Sequence, residues 1–311
     1  MNFNFDYLKH KNIIFAISLI IVICGIIFGI VTGYKFDIDF KGGTRIQVDL
    51  NEEYKNNDVS NIVEEVSGLV PEIQTSSIGN NSVSITTETI SEEMSDNIVS
   101  ALQERYTNMG EATVKNVQAS YGQDLLNSAI IAVVVSVILI LIYVAIRFKT
   151  LGYIAAVSAV LALLFDVLFI FAVYGIFKFP INGTFVAVIL TIIGYSINDT
   201  IIVYDRIREN SKLITKSSDK KAVINDSINQ TMHRTIMTSL TTIAAIGVVL
   251  VFSLIYNQET LKQFSIPLVI GITEGTFSSI FIASNLWYSL DRIFNKKNKN
   301  EIGRASCRER V

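Results

Sequence analysis

The sequence predicts a polytopic α-helical membrane protein, with six transmembrane helices and one extracytoplasmic α+β domain inserted between the first and the second. Three observations predict it. Half of the 311 residues are hydrophobic, 17% are charged, and the mean hydropathy is +0.44, the balance of a membrane protein with one sizeable polar insertion. Six apolar runs are each long enough to cross a hydrocarbon core of about 30 Å. Between the first two runs lies an acid-rich stretch whose apolar residues recur at the periods of strands and amphipathic helices.

Residues 1–12 form a short N-terminus carrying Lys9, His10 and Lys11, and residues 13–33 are almost uninterrupted apolar sequence. That run is too long for a signal-peptide core and has no small-residue cleavage site, so it reads as an uncleaved first span. Gly25, Gly29 and Gly33 lie four apart and predict a smooth ridge for close helix packing.

Residues 34–125 are the polar insertion, in which acidic residues far outnumber Lys35, Lys41, Arg45, Lys55, Arg105 and Lys115. Alternation over 44–50 predicts a strand with Ile46, Val48 and Leu50 on one face. A helix follows over 59–69 through Val59, Ile62, Val63 and Val66, then strands over 72–78 and 82–87 joined by a Gly79-Asn80-Asn81 turn. Ser91-Glu92-Glu93 caps an amphipathic helix over 91–108, and 113–120 is the last strand. The order βαββαβ predicts a split sandwich of ferredoxin-like type. The domain holds no histidine and no nucleophile–base pair, so nothing in it reads as an enzyme site.

The remaining spans are predicted at 126–146, 151–174, 183–204, 235–256 and 264–290, with a polar connector over 205–234 and a tail over 291–311. Lys9, Lys11, Arg147, Lys149, Arg206, Arg208, Lys212, Arg234, Arg292 and other basic residues gather on one side, against only Lys178 and Lys262 in the short loops opposite. Both termini are therefore expected in the cytoplasm and the acidic domain outside. Beyond Asn300, EIGRASCRERV has no apolar periodicity and reads as an end artefact. Cys24 and Cys307 make no disulfide framework or metal-ligand spacing, no cofactor is expected, and no basic stripe with aromatics points to nucleic acid.

The fourth span, running into IGYSINDTIIVYDRIREN, organises the rest. Asp205 belongs to its charged exit with Arg206 and Arg208, whereas Asp199 sits inside the apolar part beside Tyr195, Ser196, Asn198 and Thr200. A charged Asp at mid-span costs about 2.5–3.5 kcal/mol. Protonation removes that cost, so Asp199 is suited to loading and unloading a proton, and a structural hydrogen-bonding role between helices is the plainer alternative. Arg234 sits at the mouth of the fifth span, where a snorkelling arginine is equally expected. Glu274 stands unexpectedly in the sixth span among Gly271, Gly275 and Ser279, again four apart.

These features together with FDIDFKGGT over 36–44, SINQTMHRTI over 227–236 and GTFSSIFIAS over 275–284 resemble the SecF family of the bacterial Sec protein-export machinery. The resemblance implies a transporter fold of the resistance-nodulation-division type and a place in the cytoplasmic membrane. It implies SecD, the SecYEG channel, YajC, membrane lipid and the translocating polypeptide as partners, and proton-motive force as the drive. Carried over, Asp199 takes the place of the proton-carrying aspartate and Arg234 that of its partner. Asp166 falls where the family has a His-Asp pair, but Phe165 replaces the histidine; Glu274 could face SecD or lie beside Asp199. Asp37, Asp39, Phe40, Gly42, Gly43 and Thr44 mark a joint between the first span and the external domain. Two other readings stay open: a half-transporter of the same fold exporting a small molecule or lipid, and an intramembrane aspartyl protease using Asp166 and Asp199. The latter lacks the Gly-x-Gly-Asp loop expected at Asp199.

Overall fold

Each predicted apolar run lies in a long helix in the computed structural model, which describes residues 6–9, 11–76, 82–149, 151–212, 220–256 and 258–294. The Gly79–Asn81 turn and the 301–311 tail lie outside the described residues. The first span is α1 (Lys11–Thr32), followed by a short helix α2 (Ile38–Lys41). The polar domain then runs β1 (Gly43–Asp49), α3 (Asn56–Ser67), β2 (Glu72–Ser76), β3 (Ser82–Thr87), α4 (Glu92–Arg105) and β4 (Thr113–Val117). The other spans are α5 (Ala119–Arg147), α6 (Tyr153–Phe177), α7 (Gly183–Ser211), α8 (Lys220–Ile255) and α9 (Glu259–Ser278). α9 passes through a π-helical turn, Ser279–Ala283, and its span ends at Phe294.

The four strands form one antiparallel sheet in the order β2-β3-β1-β4, with Ile46 opposite Ile85 and Val114. Alternation places Ile46, Val48, Val83 and Ile85 on one face, where they bury against Val59 and Val63 of α3 and Ile98 and Leu102 of α4. Ser91 caps α4 by accepting from the Met94 amide. The last strand is shorter than its sequence predicts. β1 begins at Gly43, opposite Val117, so residues after Val117 have no ladder partner and the chain turns into α5 at Ala119. The helix also runs close to α2, since a Cβ on Gly122 would lie 2.8 Å from the Phe40 carbonyl oxygen.

The helices form two layers. α6, α7 and α9 pack into the centre, while α1, α5 and α8 leave most of their apolar surface exposed, as at Ile130, Leu139 and Phe252. The outer α1 and α5 are the more apolar, with mean hydropathies of 3.2 and 3.3 against 1.9 and 1.6 for the inner α7 and α9. Lipid solvates apolar faces without loss, whereas helix–helix seams favour small and polar residues. Gly25 meets Ala172, and Gly29 and Gly175 meet backbone to backbone, closing α1 on α6. Gly33 does not extend that ridge: it follows the end of α1 at a φ of 77°, with its carbonyl accepting from Lys178 at 2.7 Å. On α9, Gly271 fits against Ile192 and Gly275 against Ser196. The described residues of the connector over 205–234 are almost all helix, because α7 and α8 extend past the apolar sequence and pair through Asn210 to Ser227 at 2.9 Å.

Candidate functional site

Asp199 lies on the inner face of α7 and is wholly buried. Neither of its carboxylate oxygens has a hydrogen-bond partner among the described residues. The flanking polar residues do not serve it. Asn198 points outward, since one residue turns a helix by 100°. Ser196 donates to Asp166 Oδ2, Thr200 donates to Ser279 Oγ at 3.1 Å, and the Tyr195 hydroxyl has no partner among the described residues. Arg234, on α8, is the cation whose charge reaches Asp199, but it is exposed and forms no ion pair with it within 4 Å. The expected pair is thus apart in this arrangement. Glu274 does not approach Asp199 either: it lies against Asp166.

A polar seam runs beside Asp199 through the three inner helices and the inward face of α8. Ser279 donates to the Ser196 carbonyl at 3.0 Å, Ser239 and Thr276 share a hydrogen bond at 2.6 Å, and Tyr204 donates to the Ala283 carbonyl at 3.1 Å. The Tyr204 hydroxyl also meets Ser158 at 2.9 Å. The carbonyl of Ala283 is in the π-helical turn, the local irregularity that helices show most often at functional sites. At the charged end of α7, Asp205 joins Arg147 at 2.8 Å and Arg208 at 2.9 Å, while Arg206 pairs with Glu209. Sequence pattern placed Arg147 only in the loop and missed this tie between α5 and α7.

The other end of α7 is bolted to the polar domain. Phe36 bridges Ile181, the Asp37 amide donates to the Ile181 carbonyl at 3.1 Å, and the Ile181 amide to the Lys35 carbonyl at 2.7 Å. Asp37 caps α2, forms a two-point pair with Arg45, and accepts from Asn182 at 3.3 Å. Asp39 accepts from the Gly183 amide at 3.1 Å, at the first residue of α7, and from Lys115 at 2.7 Å. Burial pushes the Asp39 carboxyl up, but Lys115, the Gly183 amide and Arg45 outweigh it and hold it below the usual carboxylate range. Phe40 is buried, and Thr44 accepts from the Ile90 amide at 3.2 Å. Gly42, at a φ of 77°, has no room for a Cβ, which would lie 2.7 Å from the Ala119 Cα; Gly43, at 138°, would meet the Thr87 carbonyl at 2.6 Å. The same nine residues that predict a joint for the first span therefore hold α7 as well. Asn182, the N-cap of α7, had a readable signal: an Asn-Gly before an apolar run. Arg45 and Lys115 had none, because their neighbourhood depends on strand register.

Residues 97–292 match the family model described as protein export membrane protein SecD/SecF, C-terminal. The chain belongs to the SecD/SecF family. A protein translocase subunit SecF of Sebaldella termitidis is 34% identical over 297 residues, covering 94% of this chain and 94% of that protein. A protein translocase subunit SecDF of Bacillus subtilis is 31% identical over 284 residues, covering 91% of this chain but 37% of that one. The crystal structure of SecDF from Thermus thermophilus, a translocon-associated membrane protein, superposes with a TM-score of 0.82 at 29% identity, over 94% of this chain and 39% of that one. A second SecDF structure, in a form termed super-membrane-facing, gives 0.67 at the same identity over 98% of this chain and 40% of that one. The chain thus spans about two fifths of the SecDF chains it matches, and 94% of the Sebaldella termitidis SecF.

Proposed function

We propose that this chain is an accessory subunit of the Sec protein-export machinery that acts with SecD and couples proton movement to polypeptide translocation. SecD, the SecYEG channel, YajC and the moving polypeptide are the partners that this reading assigns. The fused SecDF relatives support SecD, since one of their segments corresponds to this chain and leaves room for a second half. The polar domain is read as ferredoxin-like, on its strand order and its two helices packed on one face. The same reading takes both termini as cytoplasmic, supported by Arg147, Arg206, Arg208, Lys220, Lys221 and Arg292 at the helix ends away from the sheet domain.

One observation carries the coupling. Asp199 is a buried carboxyl with no hydrogen-bond donor among the described residues, on a helix whose first residue is tied to the base of the sheet domain. Ionised, it calls for the Arg234 charge; protonated, it rests in the apolar packing seen here. Movement of α7 against α8 on loading or unloading would be transmitted at Gly183 to Asp39 and so to the sheet. Across the full membrane field a proton supplies about 2.3 kcal/mol per 100 mV. Asp199→Asn keeps the shape and removes the exchangeable proton. In inverted vesicles it should abolish the proton-dependent part of export while leaving assembly with SecD intact; unchanged dependence on the proton gradient would exclude the mechanism.

A further inference from the structure

We propose that Asp166 and Glu274 form a second proton-holding site, separate from Asp199, in which two carboxyl groups share a proton across the seam between the third and sixth spans. This goes beyond the role read for Asp199 and does not depend on it. Asp166 is wholly buried on α6 and Glu274 is 7% exposed on α9. The two side chains converge on Ser196 of α7. Its hydroxyl donates to Asp166, and Gly275, next to Glu274 on α9, packs so closely that a Cβ there would lie 3.2 Å from the Ser196 Cβ, which sets the two carboxyls side by side. Asp166 Oδ2 accepts from Ser196, but Asp166 Oδ1 and both Glu274 oxygens have no partner among the described residues. Carboxylates offer only acceptors, so this contact becomes a hydrogen bond only when a proton sits between them. Two negative charges side by side, away from water, are the arrangement that carboxyl dyads resolve in this way.

Among the described residues no cation lies against the pair. From α7 the pair meets the Ser196 hydroxyl, with Asp199 three residues further along the helix; from α9 it meets Ser278. α1 presents Ser18 and apolar side chains, and the Arg234 charge on α8 acts on Asp199 and not on this pair. Glu274 also forms part of the wall of an open groove of about 550 Å³ with Ile17 and Ile21 of α1 and Phe169 of α6. Both Glu274 oxygens are nonetheless buried, so the groove does not open onto the carboxyl itself. Ser196 ties the pair to α7, because its hydroxyl donates to Asp166 while its carbonyl accepts from Ser279.

Infrared difference spectroscopy of the full chain in lipid vesicles reads the carboxylic C=O stretch of protonated groups. With Asp199→Asn as background, a band present at neutral pH should disappear as the pH is raised and be absent in Glu274→Gln, where the amide donates to Asp166 in place of the proton. Asp166→Asn is the second variant and should lose the same band, with thermal unfolding reporting that each has folded. Absence of the band in the Asp199→Asn chain, its survival in both variants, or its removal by sodium ions at fixed pH would overturn the proposal. The Asp199→Asn export result can fail without touching any of these outcomes.

Discussion

Replacing Asp39 by Ala tests whether the joint holds α7 through the helix terminus or through the neighbouring lysine. The Asp39 carboxylate is 15% exposed and accepts from the Gly183 amide, a charge-assisted bond at a helix N-terminus, while its Lys115 partner is 56% exposed. A hydrogen bond to a charged group contributes about 1.5–3 kcal/mol, and an ion pair with so exposed a lysine about 0–1 kcal/mol. The Gly183 contact therefore dominates. Loss of about 2 kcal/mol raises the local opening equilibrium by about 30-fold, against about fivefold at most for a loss of 1 kcal/mol. Amide hydrogen exchange, followed by mass spectrometry on peptides covering 183–186, should show that contrast between Asp39→Ala and Lys115→Ala. The pH dependence follows the same logic. Because the folded-state carboxyl is held below its ordinary range, its contribution is complete above the unfolded value of about 3.9 and disappears as the pH falls through the lower folded value. The tie should thus be intact at neutral pH and loosen only in acid below the usual carboxylate range. Equal exchange in the two variants, or none above the parent chain, would show that the Asp39–Gly183 contact is not what holds the start of α7.

Two further outcomes separate joint from exit. Gly42→Ala forces a Cβ into a left-handed position already filled by the Ala119 backbone, and should cost about 1–3 kcal/mol, seen as a lower unfolding temperature in detergent. Asp205→Asn frees Arg147 and Arg208, but the three side chains are 24–37% exposed, so stability should fall by no more than about 1 kcal/mol and proton-dependent export should persist.

What could be read from the sequence is what depends on near neighbours. Each span is an apolar run because a helix in lipid satisfies its own backbone, and length against bilayer thickness then sets the count. The sheet strands follow from alternation at Ile46, Val48 and Leu50, and the cap at Ser91 from a spacing of three residues. Asp199 stood out because a carboxyl in such a run is costly wherever the helix ends up. The last strand stops at Val117 and not at Ser120, because the helix that follows begins at Ala119, ahead of its apolar residues.

Partnership needed the tertiary structure. Hydropathy ranked α1 and α5 as the strongest spans, yet these are the outer helices, because lipid asks only for apolar surface while the interior asks for complementary shape. Nothing local joins Asp39 to Gly183, separated by 144 residues, or sets Glu274 against Asp166 and away from Asp199. Those choices depend on how far each helix rotates about its own axis and on which small residue lets another backbone approach. Both are properties of packing between distant segments, for which a single chain read in order carries no register.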